Sequence, residues 1–368
     1  MMGDRVRVLW LAKGLGRGGA EQLLVNCARH LDGERYEVEV AYVLPWKDAL
    51  VPNLRALGIT VHCLGGGRTW PLRLRALLRA REYGLIHTHM PVPAVAARVL
   101  SRGVPIVHTE HNMWPRYRRP TRIANALTYR RNSGVIAVSG AVAESIEPAR
   151  LRRGIAPTVI HHGPDLGDAF AGPGARERAR QALDLDQDAF TVGTVANFTP
   201  KKDQLGLLDA HALLRARHPD AVLVLIGSGP LEATLRERAS RPDLKGAVVF
   251  AGSRGDVPTL LPAFDVFALS SRQEGLPVSL MEAMTVGLPS VVTAVGGMPE
   301  IVTDGVEGTV VPAGDPAAFA DALTAFAGDS SRRRACGEAA AERADAFDVA
   351  GAQRRIEDVY ASVLEGSR

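Results

Sequence analysis

Strand-like apolar runs alternate with helix-like segments along the whole of this 368-residue chain. That order constrains the fold more than composition does. Strands separated by helices cannot pair as hairpins, so they form parallel sheets covered by helices. In the first half the runs are 6–12, 38–43, 60–63, 85–89, 105–109, 135–138 and 158–161; in the second they are 191–196, 221–226, 248–251, 266–269, 290–293 and 308–311. The length exceeds what one core usually serves. Two doubly wound domains are therefore expected, residues 1–168 and 169–345, with Gly163-Pro164-Asp165-Leu166-Gly167-Asp168 and Gly172-Pro173-Gly174 as linker. At the end, Ile356, Val359, Tyr360, Val363 and Leu364 recur at helical spacing. The second domain already has its full set of elements, so residues 346–368 are predicted to return to the first.

Three cysteines, Cys27, Cys63 and Cys336, stand far apart without metal or redox spacing, which predicts a reducing cytoplasmic setting. The first apolar run contains Arg7 and is followed by Lys13. It is too short for a signal peptide or a membrane span and reads as a strand.

The densest motif is Ser270-Ser271-Arg272-Gln273-Glu274-Gly275-Leu276-Pro277-Val278-Ser279-Leu280-Met281-Glu282-Ala283-Met284. It follows the run 266–269 and reads as loop then short helix, with Pro277 at the first helical position and Gly287 past the end. Glu274 then sits at the strand's carboxyl end and Glu282 one to two turns into the helix. Between them lies a helix N-terminus, whose free N–H groups favour a phosphate. Two carboxylates flanking a phosphate site suit a sugar nucleotide. Taken as a bare pair, the same glutamates read as solvated helix-end charges; the surrounding segment is what points to a ligand.

Other motifs also follow strands, where open parallel sheets bind ligands. Gly14-Leu15-Gly16-Arg17-Gly18-Gly19-Ala20-Glu21 opens a helix, and its glycines permit a tight turn and close approach to a phosphate or sugar. A nicotinamide dinucleotide is the weaker reading. The glycine spacing does not fit its fingerprint, and no acidic residue ends the second strand. His87, His89, His108 and His111 stand at strand ends, read either as hydrogen-bonded structural residues or as sugar and acceptor contacts. They lack metal spacing. Lys201 and Lys202, in Asn197-Phe198-Thr199-Pro200-Lys201-Lys202-Asp203, would neutralise charge on a leaving diphosphate. Gly227-Ser228-Gly229-Pro230 lets backbone approach a ligand, Ser253 and Arg254 border a nucleobase, and Gly296-Gly297-Met298-Pro299-Glu300 is a turn before a short helix. Asp184-Leu185-Asp186 lies in a polar stretch read as loop, so no metal is expected.

Arg116, Arg118, Arg119, Arg122, Arg130 and Arg131 cluster within sixteen residues, interleaved with Trp114, Tyr117, Ile123, Leu127 and Tyr129. The cluster reads as a solvated helix face or as a basic amphipathic surface for anionic lipid. Nucleic acid is the least expected partner.

Together these residues resemble glycosyltransferase family 4, the retaining transferases with the GT-B fold. The resemblance covers nearly the whole chain. Its specific part runs from Phe264 to Val302, where Glu274-Gly275-Leu276-Pro277, Glu282-Ala283-Met284, Gly287-Leu288-Pro289 and Gly296-Gly297-Met298-Pro299-Glu300 follow the family pattern in order. The Gly18-Gly19-Ala20-Glu21 loop, His111, Lys202 and Gly227-Ser228-Gly229-Pro230 match more loosely. The resemblance implies two Rossmann-like doubly wound domains facing across a cleft, acceptor on the first and nucleotide sugar mainly on the second. It implies transfer of a sugar from a nucleoside-diphosphate sugar, the co-substrate, to a carbohydrate, lipid-linked or small-molecule acceptor, with no cofactor. Carried over, Glu274 contacts the sugar hydroxyls, Glu282 holds the ribose, and the N–H groups around Gly275 and Leu276, with Lys202, hold the diphosphate, with Pro277 among the donor-binding residues. His111 touches the sugar near the reaction centre, the loop of Gly16, Gly18 and Gly19 closes over the phosphates, and His87, His89 and Asn112 lie on the acceptor side. The family usually has an arginine about five residues before the lysine; here that position is Asn197, with Lys201 as the nearby cation. A cytoplasmic enzyme, peripheral on the membrane's inner face, is the expectation. The competing readings are a sugar-nucleotide epimerase on the same fold and a non-catalytic sugar-nucleotide-binding protein.

Overall fold

The computed structural model describes residues 5–101, 103–165 and 172–366, so Leu166, Gly167 and Asp168 of the expected linker lie outside the described residues. The chain divides into two compact units, Met1–His162 with Asp348–Arg368, and Gly163–Phe347.

The first unit runs β1 (Val6–Ala12), α1 (Gly19–Arg29), β2 (Tyr36–Tyr42), α2 (Val51–Ala56), β3 (Thr60–Cys63), α3 (Trp70–Ala80), β4 (Leu85–His89), α4 (Pro91–Leu100), β5 (Ile106–Glu110), α5 (Arg119–Thr128), β6 (Gly134–Ala137), α6 (Gly140–Glu144) and β7 (Thr158–Val159). The second runs α7 (Ala175–Ala182), β8 (Thr191–Val195), α8 (Gln204–Arg215), β9 (Val222–Ile226), α9 (Glu232–Ala239), β10 (Val248–Gly252), α10 (Val257–Leu260), β11 (Val266–Leu269), α11 (Val278–Thr285), β12 (Ser290–Thr293), α12 (Met298–Ile301), β13 (Gly308–Val311), α13 (Pro316–Gly328) and α14 (Ser330–Ala344). The closing helix α15 (Val349–Glu365) belongs to the first unit.

Both sheets are parallel, ordered β3-β2-β1-β4-β5-β6-β7 and β10-β9-β8-β11-β12-β13. In each, strand order reverses once, between β1 and β4 and between β8 and β11, which opens a crevice at the strands' carboxyl ends. The loops after β1, β4, β8 and β11 border these two points and carry the glycine-rich loop, Met90, Lys202 and Glu274, while His111, Gly227–Pro230, Ser253–Arg254 and Gly296–Glu300 follow β5, β9, β10 and β12.

Two-sided burial explains the unbroken apolar strands. Leu9 and Leu11 of β1 face Leu74 of α3 and Ala97 of α4, while Val8, Trp10 and Ala12 face the opposite layer, which includes α1 and α15. Ile356, Tyr360 and Val363 of α15 join that second core, and Trp10 Nε1 donates to the Tyr360 hydroxyl at 3.0 Å. Asp348 caps α15 by accepting from the amides of Ala350 and Gly351.

Some boundaries differ from the sequence reading. β2 begins at Tyr36, which pairs with Val6, rather than at 38. The acidic Glu37 and Glu39 mask its start. Glu39 is nonetheless buried: the Tyr83 hydroxyl donates to it at 2.7 Å, His62 Nε2 lies 2.7 Å away and Arg81 3.2 Å. β7 covers only Thr158–Val159 rather than 158–161.

Candidate functional site

At the β8/β11 reversal, Lys202 follows β8 and Glu274 follows β11. Lys202 Nζ donates to Glu274 Oε1 at 2.5 Å, and the Ser271 hydroxyl donates to the same oxygen at 2.6 Å. Both charged side chains are largely buried. The loop carrying Glu274 is tied down on both sides. Arg272 N–H donates to the Lys201 carbonyl at 2.8 Å, Arg272 Nε to Asp203 at 2.8 Å, and Thr293 Oγ1 to the Ser271 carbonyl at 2.5 Å. Nothing in the spacing of the motif marks Ser271, whose contact to Glu274 exists only in the folded loop.

Pro277 is the N-cap of α11 rather than its first helical residue, and Gly287 past the end has φ +74°. Among the described residues, the N–H groups of Gly275, Leu276, Val278 and Ser279 make no backbone hydrogen bond outside the helix. They form the polar, positive end of the helix next to Glu274. Glu282 lies in the second turn without a charged partner among the described residues, and burial alone pushes its carboxyl up to about 7. The two glutamates thus have different surroundings, one paired with a cation and one desolvated.

Gly296 has φ +56°, and a Cβ there would stand 2.1 Å from the Glu274 carbonyl oxygen. Gly297 N–H donates to the Gly275 carbonyl at 3.0 Å. The Gly296–Gly297 turn therefore seats the Glu274 loop. Gly296→Ala is expected to destabilise the protein by about 1–3 kcal/mol, a fall in Tm of at least about 3 °C. Scanning calorimetry checks this; an unchanged Tm would remove the turn's supporting role.

The second glycine pair is placed differently from expectation. A Cβ on Gly227 would meet the Ala196 carbonyl oxygen at 2.1 Å, and one on Gly229 the Phe198 carbonyl at 2.4 Å. Phe198 N–H also donates to the Ser228 carbonyl at 2.9 Å. The close approach these glycines permit is to the chain's own β8 loop. Asn197 is exposed on that loop, with its carbonyl accepting from Gln204 Nε2 at 3.0 Å. Lys201 is exposed and Ser253 lies open on the β10 loop. Arg254 is held bidentate by Asp256 at 2.8 and 2.7 Å, so its guanidinium is engaged within its own loop.

In the first unit, the loop after β1 is fastened to the loop after β2: Leu15 N–H donates to the Lys47 carbonyl at 2.6 Å and Leu50 N–H to the Leu15 carbonyl at 2.9 Å. Gly18 caps α1, and Gly16 and Gly19 flank this helix start. None of the three has a positive φ, so the loop does not need glycine for its turn. Gly16 has no neighbour closer than van der Waals contact at its Cβ position, which leaves the backbone there open to approach.

His87 does not act as an acceptor contact. It is buried, with Nδ1 2.6 Å from the Tyr360 hydroxyl and Nε2 2.7 Å from Thr109 Oγ1, so both ring nitrogens are used inside the core. His89 Nδ1 lies 3.1 Å from His111 Nε2. Burial holds His89 well below the usual imidazole range and pushes His111 down to about 3, with nearby His162 and His108 adding to the effect on His111. Both rings are therefore neutral near pH 7, and His111 is a hydrogen-bonding group rather than a cation. His162, unassigned from sequence, lines the same small cavity with Gln353 of α15. Asn112 is half-buried and its carbonyl accepts from the Tyr117 hydroxyl at 3.4 Å. Met90, between β4 and α4, has φ 72° and ψ 144°, a conformation non-glycine residues rarely adopt and which concentrates at functional sites.

The arginine-rich segment divides in two. Its aromatic residues turn inward: Trp114 Nε1 donates to buried Glu110 at 2.8 Å, and the hydroxyls of Tyr117 and Tyr129 donate to the same carboxylate. These aromatics are core, because a buried carboxylate needs donors. Ile123 and Leu127 remain outside with the arginines.

The family model described as "Glycosyl transferases group 1" matches residues 175–343, and that described as "Glycosyltransferase Family 4" matches 17–168. A Rhizobium meliloti lipopolysaccharide core biosynthesis mannosyltransferase, LpsB, is 32% identical over 86% of this chain and 92% of its own. An Escherichia coli UDP-Gal:alpha-D-GlcNAc-diphosphoundecaprenol alpha-1,3-galactosyltransferase is 25% identical over 87% of each. The crystal structure of Anabaena Alr3699/HepE in complex with UDP and glucose superposes with a TM-score of 0.86 at 26% identity, covering 97% of this chain and 100% of that one. Two Rossmann-like parallel-sheet units, a Lys202–Glu274 pair at the second sheet's reversal and these likenesses agree: the chain belongs to glycosyltransferase family 4, the GT-B glycosyltransferases.

Proposed function

We propose that this glycosyltransferase moves a sugar from a nucleoside-diphosphate sugar to an acceptor hydroxyl with retention of configuration and without a metal ion, in cytoplasmic synthesis of a cell-surface polysaccharide or glycolipid. The observation that carries the reading is the Lys202–Glu274 pair beside the unpaired amides at the start of α11. A cation and a row of N–H groups suit a diphosphate, and a fixed carboxylate next to them suits the hydroxyls of the attached sugar.

In the proposed reaction, the bond from the sugar's anomeric carbon to the diphosphate oxygen breaks, and negative charge grows on the diphosphate. Lys202 and the α11 amides bear that charge. The acceptor oxygen bonds to the anomeric carbon on the face the diphosphate leaves, and its proton passes to the departing phosphate oxygen. Glu274 accepts hydrogen bonds from the sugar hydroxyls, Glu282 accepts from the ribose, and neutral His111 exchanges a hydrogen bond with the transferred sugar. Glu274 is not assigned as a covalent nucleophile, because its carboxylate is committed to Lys202 and Ser271.

Release of nucleoside diphosphate with and without candidate acceptors tests the reading, starting from UDP-sugars and lipid-linked or carbohydrate acceptors. Release that requires acceptor, survives chelation and gives a product with the donor's anomeric configuration by NMR is the expected result. Consumption of donor without acceptor would indicate an epimerase or hydrolase, and binding without turnover a non-catalytic protein. Inversion in the product would overturn retention.

A further inference from the structure

His87 and His89 stand two positions apart on β4, so their side chains leave the same face of the sheet, beside Trp10 of β1 and Tyr360 of α15. The hydrogen bonds around His87 allow a single tautomer. Trp10 Nε1 can only donate, and it does so to the Tyr360 hydroxyl oxygen at 3.0 Å. The Tyr360 O–H then has His87 Nδ1, at 2.6 Å, as its acceptor. His87 Nδ1 is therefore bare, and its Nε2–H donates to Thr109 Oγ1 at 2.7 Å. The ring so fixed lies 4.2 Å from that of His89, centroid to centroid, and Trp10 stands edge-on to both at 6.4 Å. His89 is thus walled in by two rings.

His89 in turn meets His111. Its Nδ1 lies 3.1 Å from His111 Nε2, with the rings tilted by 34°. Burial keeps both rings neutral near pH 7, so each carries one proton and a single one of them fills that contact. If His111 donated, His89 would carry its own proton at Nε2, a buried atom that no acceptor reaches among the described residues. Buried N–H groups left without an acceptor are rarer than acceptors left without a donor. The shared proton therefore belongs to His89 Nδ1. His111 accepts it at Nε2 and carries its own hydrogen at Nδ1. That Nδ1 makes no hydrogen bond among the described residues, so it is the ring nitrogen left for a ligand.

We propose that His89 is a positioning residue for sugar transfer: by donating from Nδ1 to His111 Nε2, it holds His111 in the tautomer that presents an Nδ1–H to an oxygen of the bound nucleotide sugar. The identity of that ligand rests on the function proposed above. A donor oriented before the glycosidic bond breaks costs no reorganisation as charge develops. The same contacts carry the closing helix into the site. Tyr360 of α15 fixes His87, His87 backs His89, and His89 orients His111.

Two measurements test this. Long-range proton–nitrogen NMR spectra of the unliganded full chain, labelled with nitrogen-15 at histidine and with His111 assigned through H111N, should show His111 protonated at Nδ1 and bare at Nε2. His111 protonated at Nε2 would overturn the proposal. The second measurement is kcat with a UDP-sugar and an acceptor that supports UDP release. H89F keeps the ring volume but no hydrogen bond, and H89Q places its amide at the Nε2 position; each should lower kcat at least about tenfold. H89N places its amide near the Nδ1 position and should recover most of the rate. In an H111F background, H89F should cost less than about twofold, because a residue that acts through His111 has nothing left to orient. Equal losses in both backgrounds, or H89N no better than H89Q, would reduce His89 to core packing and overturn the proposal. Circular dichroism and Tm show which variants fold, and the wild-type spectra need none of them. The tautomer is also read without turnover. A wild-type protein that transfers no sugar would therefore refute the transferase reading, while the spectra still decide the role of His89.

Discussion

Lys202→Ala is expected to lower kcat by about 10²–10³-fold, the cost of removing one preorganised group from a site of developing charge. In the proposed reaction Lys202 meets the diphosphate while its charge is still shared with the sugar carbon, and the attraction strengthens as the bond breaks. An interaction that grows toward the transition state acts on kcat more than on KM. The same change leaves Glu274 with Ser271 as its hydrogen-bond donor in a largely buried position. Breaking a buried pair by removing one partner is destabilising, so a fall in Tm should accompany the loss of rate. Lys202→Arg is expected to recover charge but little activity, because a planar guanidinium does not reproduce the ammonium's 2.5 Å contact to Glu274. Steady-state kinetics with saturating donor decides the matter; activity of the alanine variant within threefold of wild type would remove Lys202 from the mechanism.

Glu282→Gln should have opposite effects on stability and on donor binding. Burial raises the Glu282 carboxyl to about 7 from an ordinary value near 4.5. An acid raised by folding leaves stability intact below its unfolded pKa. Stability then falls as pH climbs between the two values, because the native state holds a proton the unfolded chain has released. Above about pH 7 the whole penalty is present. Glutamine carries no such penalty, so the unliganded variant should exceed wild type by about 1–3 kcal/mol at pH 8, roughly 3–8 °C in Tm, and match it near pH 4.5. Donor binding should move the other way. Ribose hydroxyls donate best to the ionised carboxylate, so wild-type donor affinity is expected to rise through pH 7 while that of the variant stays flat and about tenfold weaker. Differential scanning calorimetry across pH, with titration of the nucleotide sugar, measures both. Equal Tm values at pH 8 would show that Glu282 is not desolvated, and equal donor affinities that it does not hold the ribose.

The motif around Glu274 was legible because its geometry is local. A strand, a Gly-Leu-Pro turn and a helix within twenty residues leave little freedom in where two glutamates eight positions apart can go. The return of the last helix was legible for a related reason, since an apolar stripe at helical spacing must be covered. The arginine segment was less legible. Interleaving along the chain placed Trp114, Tyr117 and Tyr129 with the arginines, yet a buried carboxylate at the end of β5 draws those three aromatics inward. His87 was misassigned for the same kind of reason. A histidine at a strand end looks available until the hydroxyls of Tyr360 and Thr109 occupy both of its nitrogens.

By itself the sequence determined the order of strands and helices, the parallel sheets that order forces, and the glutamates on either side of the α11 N-terminus. Those follow from periodicity and turn chemistry, which act over a few residues. Only the tertiary structure decided the pairings: Lys202 with Glu274 across 72 positions, Trp10 with Tyr360 across 350, and the glycines of 227–229 against the β8 loop instead of open space. Such contacts depend on which strands become neighbours. Strand order is set by the packing of whole layers, which no local pattern records.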